Sequence, residues 1–328
     1  MLQEKERVEV IIPIYNEELC VDELLKRLLA LKEKINYLKM NFIFVNDGSS
    51  DRCPELLRDY ANQYNFVKVI NFSRNFGHQF AVTAGLDYAD ADYVVIMDGD
   101  LQDPPELIED LYKKSKQGYD VVYGKRLRRK GESFFKEHSA RIFYKVLSMM
   151  CDIKIPPDTG DFRLINIDVL KVLKEMRERH RFIRGMVPWV GFKSAELPYR
   201  RDGRYAGKTK YPLKKMLAFA LDAIFSFSNT PLRITIYFGL LIVGLGMAGA
   251  LLILYLRFFT PFTIPGISAV IVTIITMAGF QIIMLGVIGE YIGRIFEESK
   301  SRPLYVVKDV MNLNPIVTTQ AQSAPTRS

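Results

Sequence analysis

One stretch, from about residue 231 to 292, constrains this chain more than any other, because charge nearly vanishes from it. It holds two apolar segments, 235–256 and 267–288, each about 22 residues long and so able to cross a hydrocarbon core of ~30 Å. Lipid cannot satisfy backbone polar groups, so such segments must be helical. Their link is short and contains Pro261, Pro265 and Gly266, so together they read as a helical hairpin. Lys210, Lys214, Lys215 and Arg233 precede the first segment; Arg294, Lys300 and Arg302 follow the second. The link has no Lys or Arg beyond Arg257 at its edge. This bias places both chain termini on the cytoplasmic side. A buried helix pair in a soluble protein is the alternative, and the lengths and flanks argue against it.

Just before the hairpin, residues 211–229 read as an amphipathic helix, with Leu213, Met216, Leu217, Ala220, Leu221 and Ile224 opposite Lys214 and Lys215. Such a helix suits a membrane interface. The formal net charge of +8 concentrates at 125–145 and 200–215. The second cluster adjoins the apolar region, which favours a membrane surface. No helix-turn-helix, zinc-finger or RNA-binding signature supports nucleic acid as a partner. Cys20, Cys53 and Cys151 form neither a disulfide framework nor a zinc spacing, which fits a reducing compartment. The N-terminus enters a strand-like run rather than a signal peptide, so the bulk of the protein is expected in the cytoplasm. Residues 314–328, rich in Thr, Gln, Ser, Ala and Pro, read as a disordered tail.

The first two thirds alternate strands and helices. Strand-like runs occur at 8–14, 42–47, 67–72, 93–98 and 120–123, with helical stretches at 18–35 and 77–89 between them. A basic helical stretch is expected at 133–150 and another helix at 168–179. Alternation of this kind implies a parallel, doubly wound sheet. Ligands of such sheets bind beyond the carboxyl ends of the strands. Three strand ends there carry polar residues: Tyr15-Asn16-Glu17, Asn46-Asp47-Gly48 and Asp98-Gly99-Asp100.

Asp98, Asp100 and Gln102 can converge on one hard cation, since Mg²⁺ and Mn²⁺ prefer oxygen ligands and often share them with substrate phosphates. An acidic residue at the other two ends can accept from a ribose hydroxyl or a nucleobase. Taken singly, each end can equally be turn chemistry, because Asn, Asp and Gly favour turns.

The ordered set PIYNE, VNDGSSD and MDGDLQDPP resembles the nucleotide-binding half of the inverting glycosyltransferases of the dolichyl-phosphate mannose synthase type, whose fold is called GT-A. The resemblance covers roughly residues 8–215. PPDTGDFRL at 156–164 and the two C-terminal spans extend it to the bacterial polyisoprenyl-phosphate glycosyltransferases, in particular the bactoprenol glucosyltransferases. It implies an α/β GT-A, Rossmann-like, mostly parallel catalytic domain followed by interfacial amphipathic helices and a two-helix transmembrane hairpin. The implied division is 1–210, 211–230, 231–292 and a cytoplasmic tail at 293–328. Pro13, Tyr15, Glu17, Asp47 and Asp98 would hold the nucleotide, and Asp98, Asp100 and Gln102 would surround Mg²⁺ or Mn²⁺. Arg126 and Arg141 match positions that hold an acceptor phosphate, whereas KRLRRK at 125–130 can also be a solvated basic run. Lys145 stands where some relatives carry a serine. Asp158 and Asp161 are the candidates for base or orienting carboxylate, with Asp158 preferred as base. Arg204 and Lys210 belong to a loop resembling R-x-x-G-x-S/T-K-Y, which would fold over the donor diphosphate. Arg74-Asn75-Phe76-Gly77 has counterparts near the nucleotide, though helix packing through Gly77, Ala81 and Gly85 explains it equally well, and His78 reads as structural.

The implied reaction is transfer of a hexose, glucose from UDP-glucose, to a polyprenyl phosphate at a bacterial inner membrane, with GDP-mannose as the other donor. A processive polysaccharide synthase would carry Gln-x-x-Arg-Trp, but Trp189, the single tryptophan, follows Val187-Pro188. A non-catalytic nucleotide-sugar-binding membrane protein would tolerate loss of carboxylates that are all present. A flippase needs more than two helices for a polar path. Gly239, Gly244, Gly246 and Gly249 in the first span suit self-association.

Overall fold

The structure is a computed structural model that describes residues 5–127, 159–201, 230–259 and 266–314. The helices expected at 133–150 and 211–229 lie outside these. The described residues form two compact units. One comprises 5–127, 159–201 and 303–314; the other comprises 230–259 and 266–302.

The first unit is built on β1 (Arg7–Ile14), α1 (Glu18–Lys34), β2 (Lys39–Asn46), α2 (Cys53–Gln63), β3 (Val67–Phe72), α3 (His78–Tyr88) and β4 (Tyr93–Ile96). After them come α4 (Ile108–Ser115), β5 (Val121–Leu127), β6 (Thr159–Asn166), α5 (Ile167–Glu175), α6 (Ile183–Val190), β7 (Ser194–Arg200) and, far along the chain, β8 (Val307–Met311). The strands make one sheet in the order β7-β5-β6-β4-β1-β2-β3-β8. Pairing is parallel across β4-β1-β2-β3 and antiparallel where β6 joins β4 and β5 and where β8 joins β3. This is the mixed, mostly parallel α/β sheet expected of a GT-A domain.

β1 is covered on both faces, and seven of its eight residues are buried. That explains its nearly unbroken apolar run, since a half-exposed strand would alternate. Its one charged core residue, Glu9, is 1% exposed. Burying that carboxylate is tolerable only with partners, and Glu9 accepts from Lys68 Nζ and from the Asp90 backbone N–H. Leu24, Leu25, Leu28 and Leu31 of α1 pack beneath β1 and β2 as their spacing predicts.

The expected tail beginning at 293 needs correction. The chain returns to the first unit at 303, and β8 pairs antiparallel with β3. An uncovered β3 would present unpaired N–H and C=O groups along its length. Tyr305 reinforces the return: its ring stacks on Phe72 at 5.1 Å and its hydroxyl donates to Asp87 Oδ2 at 2.7 Å. Asp87 also takes two bonds from Arg177 NH1, at 2.7 and 2.9 Å.

The second unit is a pair of long helices, α7 (Thr230–Phe259) and α8 (Ile267–Ser299). Both are long and apolar enough to cross a membrane, with candidate spans at Thr230–Gly249 and Met277–Ser299 that are not buried by protein. Phe238 of α7 meets Phe280 of α8 at 5.2 Å.

Candidate active site

The carboxyl ends of β1, β2 and β4 carry the three expected polar turns. The β4 end is shaped by its antiparallel neighbour. Ile96 pairs with Arg163, so extending the register by two residues brings Asp98 opposite Asp161 on β6. Two carboxylates face each other there and need positive partners. His78, the first residue of α3, supplies one: its Nε2 lies 3.1 Å from Asp161 Oδ2 and 3.6 Å from Asp98 Oδ1. Arg184 on α6 supplies another, with Nε 2.8 Å from Oδ1 of Asp161 and NH2 2.9 Å from Oδ2. Arg163, itself buried, ties the local backbone by donating to the Asp161 and Gly160 carbonyls at 3.2 and 2.8 Å.

The protonation states follow from these contacts. Burial raises Asp161, but the charge of Arg184 and the His78 hydrogen bond outweigh it and hold the carboxyl well below the usual range. Burial disfavours charge on His78, yet its bond to Asp161 and the charge of Asp98 push it up to about 9. Asp98 is pushed up to about 6 by burial, with His78 opposing and Asp161, Asp103 and Asp100 adding like charge. Burial presses Arg163 down to about 10. His78, Asp98 and Asp161 can each turn one ligand atom to a common point, all within 4.8 Å of one another.

Asp100 is 8% exposed, and its Oδ1 accepts from the backbone N–H of Gln102 at 3.2 Å. Leu101 between them adopts a φ of +60°, which folds the turn back on itself. Gln102 thus stands beside Asp100, and the position expected to help hold a cation also orients a carboxylate.

At the β1 and β2 ends, Pro13 is buried, Tyr15 is 40% exposed and Glu17 is half-buried ahead of α1. Asp47 is 2% exposed, and its oxygens accept from the N–H groups of Phe76 and Gly77 and from Asn75 Nδ2 at 2.7–2.9 Å. Burial nevertheless raises its carboxyl above the usual value. Its position in the structure therefore ties the β2 turn to the 74–77 segment. Gly48 has a φ of +66°, and a Cβ there would stand 2.4 Å from the Arg74 carbonyl carbon. Asn16 and Ser49 join the turns: Asn16 N–H donates to Ser49 Oγ at 3.0 Å and Asn16 Oδ1 accepts from Ser50 N–H at 2.8 Å. Asn46, Asn71 and Asp309 continue this network across β2, β3 and β8, with bonds of 2.9 and 2.7 Å. Asp51 Oδ1 accepts from the N–H of Cys53, the first residue of α2, at 3.1 Å.

Arg126, at the end of β5, donates from Nε to the Tyr199 hydroxyl at 3.3 Å and lies 3.6 Å from Asp103. Asp158, Arg141, Arg204 and Lys210 fall outside the described residues. The structure thus gathers Asp98, Asp100 and Asp161 at one strand end and keeps Asp47 within the neighbouring turn. It adds His78, Arg184 and Asp103, which the sequence reading did not assign to the site. Asp103 had a local signal as the third carboxylate of MDGDLQD. His78 had one in its place at the start of a helix following a strand end. Arg184, 23 residues beyond Asp161, had none.

Residues 9–174 match the family described as Glycosyl transferase family 2. The uncharacterized glycosyltransferase YkcC of Bacillus subtilis (strain 168) is 51% identical over 91% of this chain and 92% of that protein. The prophage bactoprenol glucosyl transferase homolog of Escherichia coli (strain K12) is 37% identical over 93% of this chain and 99% of its own length. The bactoprenol glucosyl transferase of Shigella phage SfV is also 37% identical, over 92% and 98%. With carboxylates gathered at the β4 end of a sheet of this topology, and with relatives matched along nearly their whole length, the chain belongs to glycosyl transferase family 2.

Proposed function

We propose that this glycosyltransferase moves glucose from UDP-glucose onto a polyprenyl phosphate, with inversion at the anomeric carbon. The proposed setting is the cytoplasmic face of a bacterial inner membrane, with both termini cytoplasmic. The observation that carries the reading is the carboxylate group at the β4 end, in a chain that aligns along nearly its whole length with bactoprenol glucosyl transferases. The two apolar helices supply a reason for a lipid acceptor.

The donor's nucleotide is assigned to the β1 and β2 turns, through Pro13, Tyr15, Glu17 and Asp47, with Asp98 at the edge. Asp98 and Asp100, supported by Gln102, suit Mg²⁺ or Mn²⁺. Their fit is chemical: Asp98 is crowded by Asp161, Asp103 and Asp100, and a hard dication takes carboxylate oxygens. Such an ion would offset charge on the departing nucleoside diphosphate.

The acceptor phosphate is already anionic near neutral pH, so correct placement matters more than deprotonation. Arg126 and Arg141 are assigned to that phosphate, since a guanidinium fork can bond two of its oxygens. Asp161, gripped by Arg184 and His78, suits an orienting role better than that of a base. Asp158 keeps the base assignment. Arg204 and Lys210 would close over the donor diphosphate.

The test is transfer by the purified full-length protein in detergent, with undecaprenyl phosphate and a panel of radiolabelled UDP- and GDP-sugars, with and without EDTA. Label should enter the lipid fraction from UDP-glucose alone and stop with EDTA. Transfer from GDP-mannose instead would reassign the donor. No transfer from any donor by folded protein would sink the reading.

A further inference from the structure

Asn46, Asn71 and Asp309 stand in one row across three neighbouring strands. Asn46 pairs with Asn71 between β2 and β3, and Asn71 pairs with Asp309 between β3 and β8. The two asparagines are 3% and 7% exposed, so both ends of each amide need partners. Asn71 Nδ2 donates to Asp309 Oδ1 at 2.7 Å, and Asn46 Nδ2 donates to Asn71 Oδ1 at 2.9 Å. Asn46 Oδ1 in turn accepts from the Ser49 N–H at 3.0 Å.

The direction of this row is fixed at both ends. A carboxylate can only accept, and a backbone N–H can only donate. Between them, each amide has one orientation that satisfies every group. Turning over either amide would set N–H against N–H or oxygen against oxygen. The acceptor at 309 thus agrees with the donor at 49, although Asp309 lies 238 residues beyond Asn71 in the chain. A donor at 309 would oppose Ser49 and force a clash into the row.

From Ser49 the order passes to the β1 turn. Ser49 Oγ accepts from the Asn16 N–H at 3.0 Å, and Asn16 holds a φ of +52°. An L-residue resists that conformation, so the bonds to Ser49 and Ser50 help to hold it. Asn16 lies between Tyr15 and Glu17, and Ser49 lies two residues after Asp47. We propose that Asp309, Asn71 and Asn46 form a one-way hydrogen-bond relay that positions the β1 and β2 turns for the donor's nucleoside diphosphate. They act through Ser49 and Asn16 and are positioning residues. Which ligand benefits rests on the donor assignment of those turns; the relay itself does not.

The experiment uses full-length protein in detergent. It measures binding of UDP and of undecaprenyl phosphate, KM and kcat with UDP-glucose, melting temperature, and iodoacetamide labelling of Cys53. The buried Cys53 thiol lies beside the Ser49 hydroxyl, so its labelling reports the β2 turn without any nucleotide. Asp309→Asn keeps an acceptor and should stay within about twofold of wild type. Asp309→Lys puts a donor at the same exposed edge position. It should weaken UDP about fivefold, the scale of one hydrogen bond. KM should rise in step, with kcat and undecaprenyl phosphate binding held within about twofold and Cys53 labelled faster. Asn46→Asp should weaken UDP at least as much, because its second oxygen would face Asn71 Oδ1. In the Asp309→Lys/Asn46→Asp double, the Asn71 amide can turn over, accepting from the new ammonium and donating to the new carboxylate. UDP affinity should then return to within about twofold of wild type, although each single change weakens it.

Wild-type UDP affinity in Asp309→Lys overturns the relay. A double variant no better than the product of its singles overturns its direction. Equal losses of UDP and undecaprenyl phosphate binding with a lowered melting temperature overturn the positioning role. If Asn46→Asp fails to fold, the contrast between Asp309→Lys and Asp309→Asn decides. Wild-type protein that binds no UDP would sink the donor assignment of the turns, while faster Cys53 labelling in Asp309→Lys than in Asp309→Asn would still support the relay.

Discussion

Arg184 grips both oxygens of Asp161, with Nε at 2.8 Å from Oδ1 and NH2 at 2.9 Å from Oδ2. The fork joins an α6 side chain to a β6 carboxylate that is 3% exposed on its side chain. It keeps Asp161 ionised and turned toward His78, which in turn faces Asp98. The order at the β4 end therefore depends on a residue that comes from outside the strand ends.

Removing Arg184 should disturb both stability and transfer. Arg184→Ala leaves a buried carboxylate short of its main partner, a change that costs about 3 kcal/mol in comparable pairs. Melting temperature should fall and sugar transfer should drop at least about tenfold, since a slip of about 1 Å in a catalytic group can cost more than that. Arg184→Lys should be intermediate, because an ammonium cannot reproduce the planar fork. Thermal unfolding in detergent and initial transfer rates decide it. Wild-type values in Arg184→Ala would mean that His78 and Arg163 suffice to hold Asp161.

Asp100 should matter for transfer far more than for folding. Asp100→Ala is expected to cut transfer at least about a hundredfold, in line with the several kcal/mol that a bound metal contributes to charge stabilisation. Membrane insertion and melting temperature should be nearly unchanged. EDTA should have the same effect on the wild type, and added Mn²⁺ or Mg²⁺ should restore it. Transfer near the normal rate in Asp100→Ala would remove this residue from the metal assignment.

The parts of this site that were legible in the sequence share a cause. Strand ends are marked locally, by an apolar run stopping at Asn46-Asp47-Gly48 or Asp98-Gly99-Asp100, and ligands of parallel sheets gather at such ends. What was not legible depends on pairing. Asp161 reaches Asp98 through an antiparallel register that no local pattern encodes, and Arg184 arrives from a helix packed later. β8 was missed for a related reason. Val307–Met311 is short, holds Lys308 and Asp309 in its middle and lies at a sheet edge with exposed positions, so no strong alternation marks it as a strand.

Gly48→Ala should damage the β2 turn. The native φ of +66° costs an L-residue about 1–2 kcal/mol. Beyond that, the new Cβ would lie 2.4 Å from the Arg74 carbonyl carbon and 2.6 Å from the Asn75 nitrogen. Backbone atoms cannot swing aside as a side-chain tip would, so the turn must separate from the 74–77 segment that Asp47 binds. Melting temperature should fall and UDP should bind at least about tenfold more weakly, a loss of about 1.4 kcal/mol. Unchanged UDP affinity with a lowered melting temperature would confine the turn to a structural role.

Cys53 offers a view of the same turn in the intact protein. Its thiol donates toward Asp51 Oδ2 at 3.3 Å, and the same oxygen accepts from Glu18 N–H at 3.1 Å. Burial, and then the neighbouring Asp51 carboxylate, push the thiol up to about 12. Alkylation needs the thiolate, and a group titrating near 12 is about one part in ten thousand ionised at pH 8. The sign is definite: raising pH toward 12 increases the reactive form, and pH 8 leaves almost none. Iodoacetamide at pH 8 should therefore leave Cys53 unmodified in native protein and label it fully in guanidinium, as read by mass spectrometry of its peptide. Any slow native labelling would report opening of the turn that holds Asp47 and Asp51, and UDP should slow it further if the nucleotide binds there. Rapid native labelling that UDP does not affect would contradict both the closed turn and its role in holding the donor.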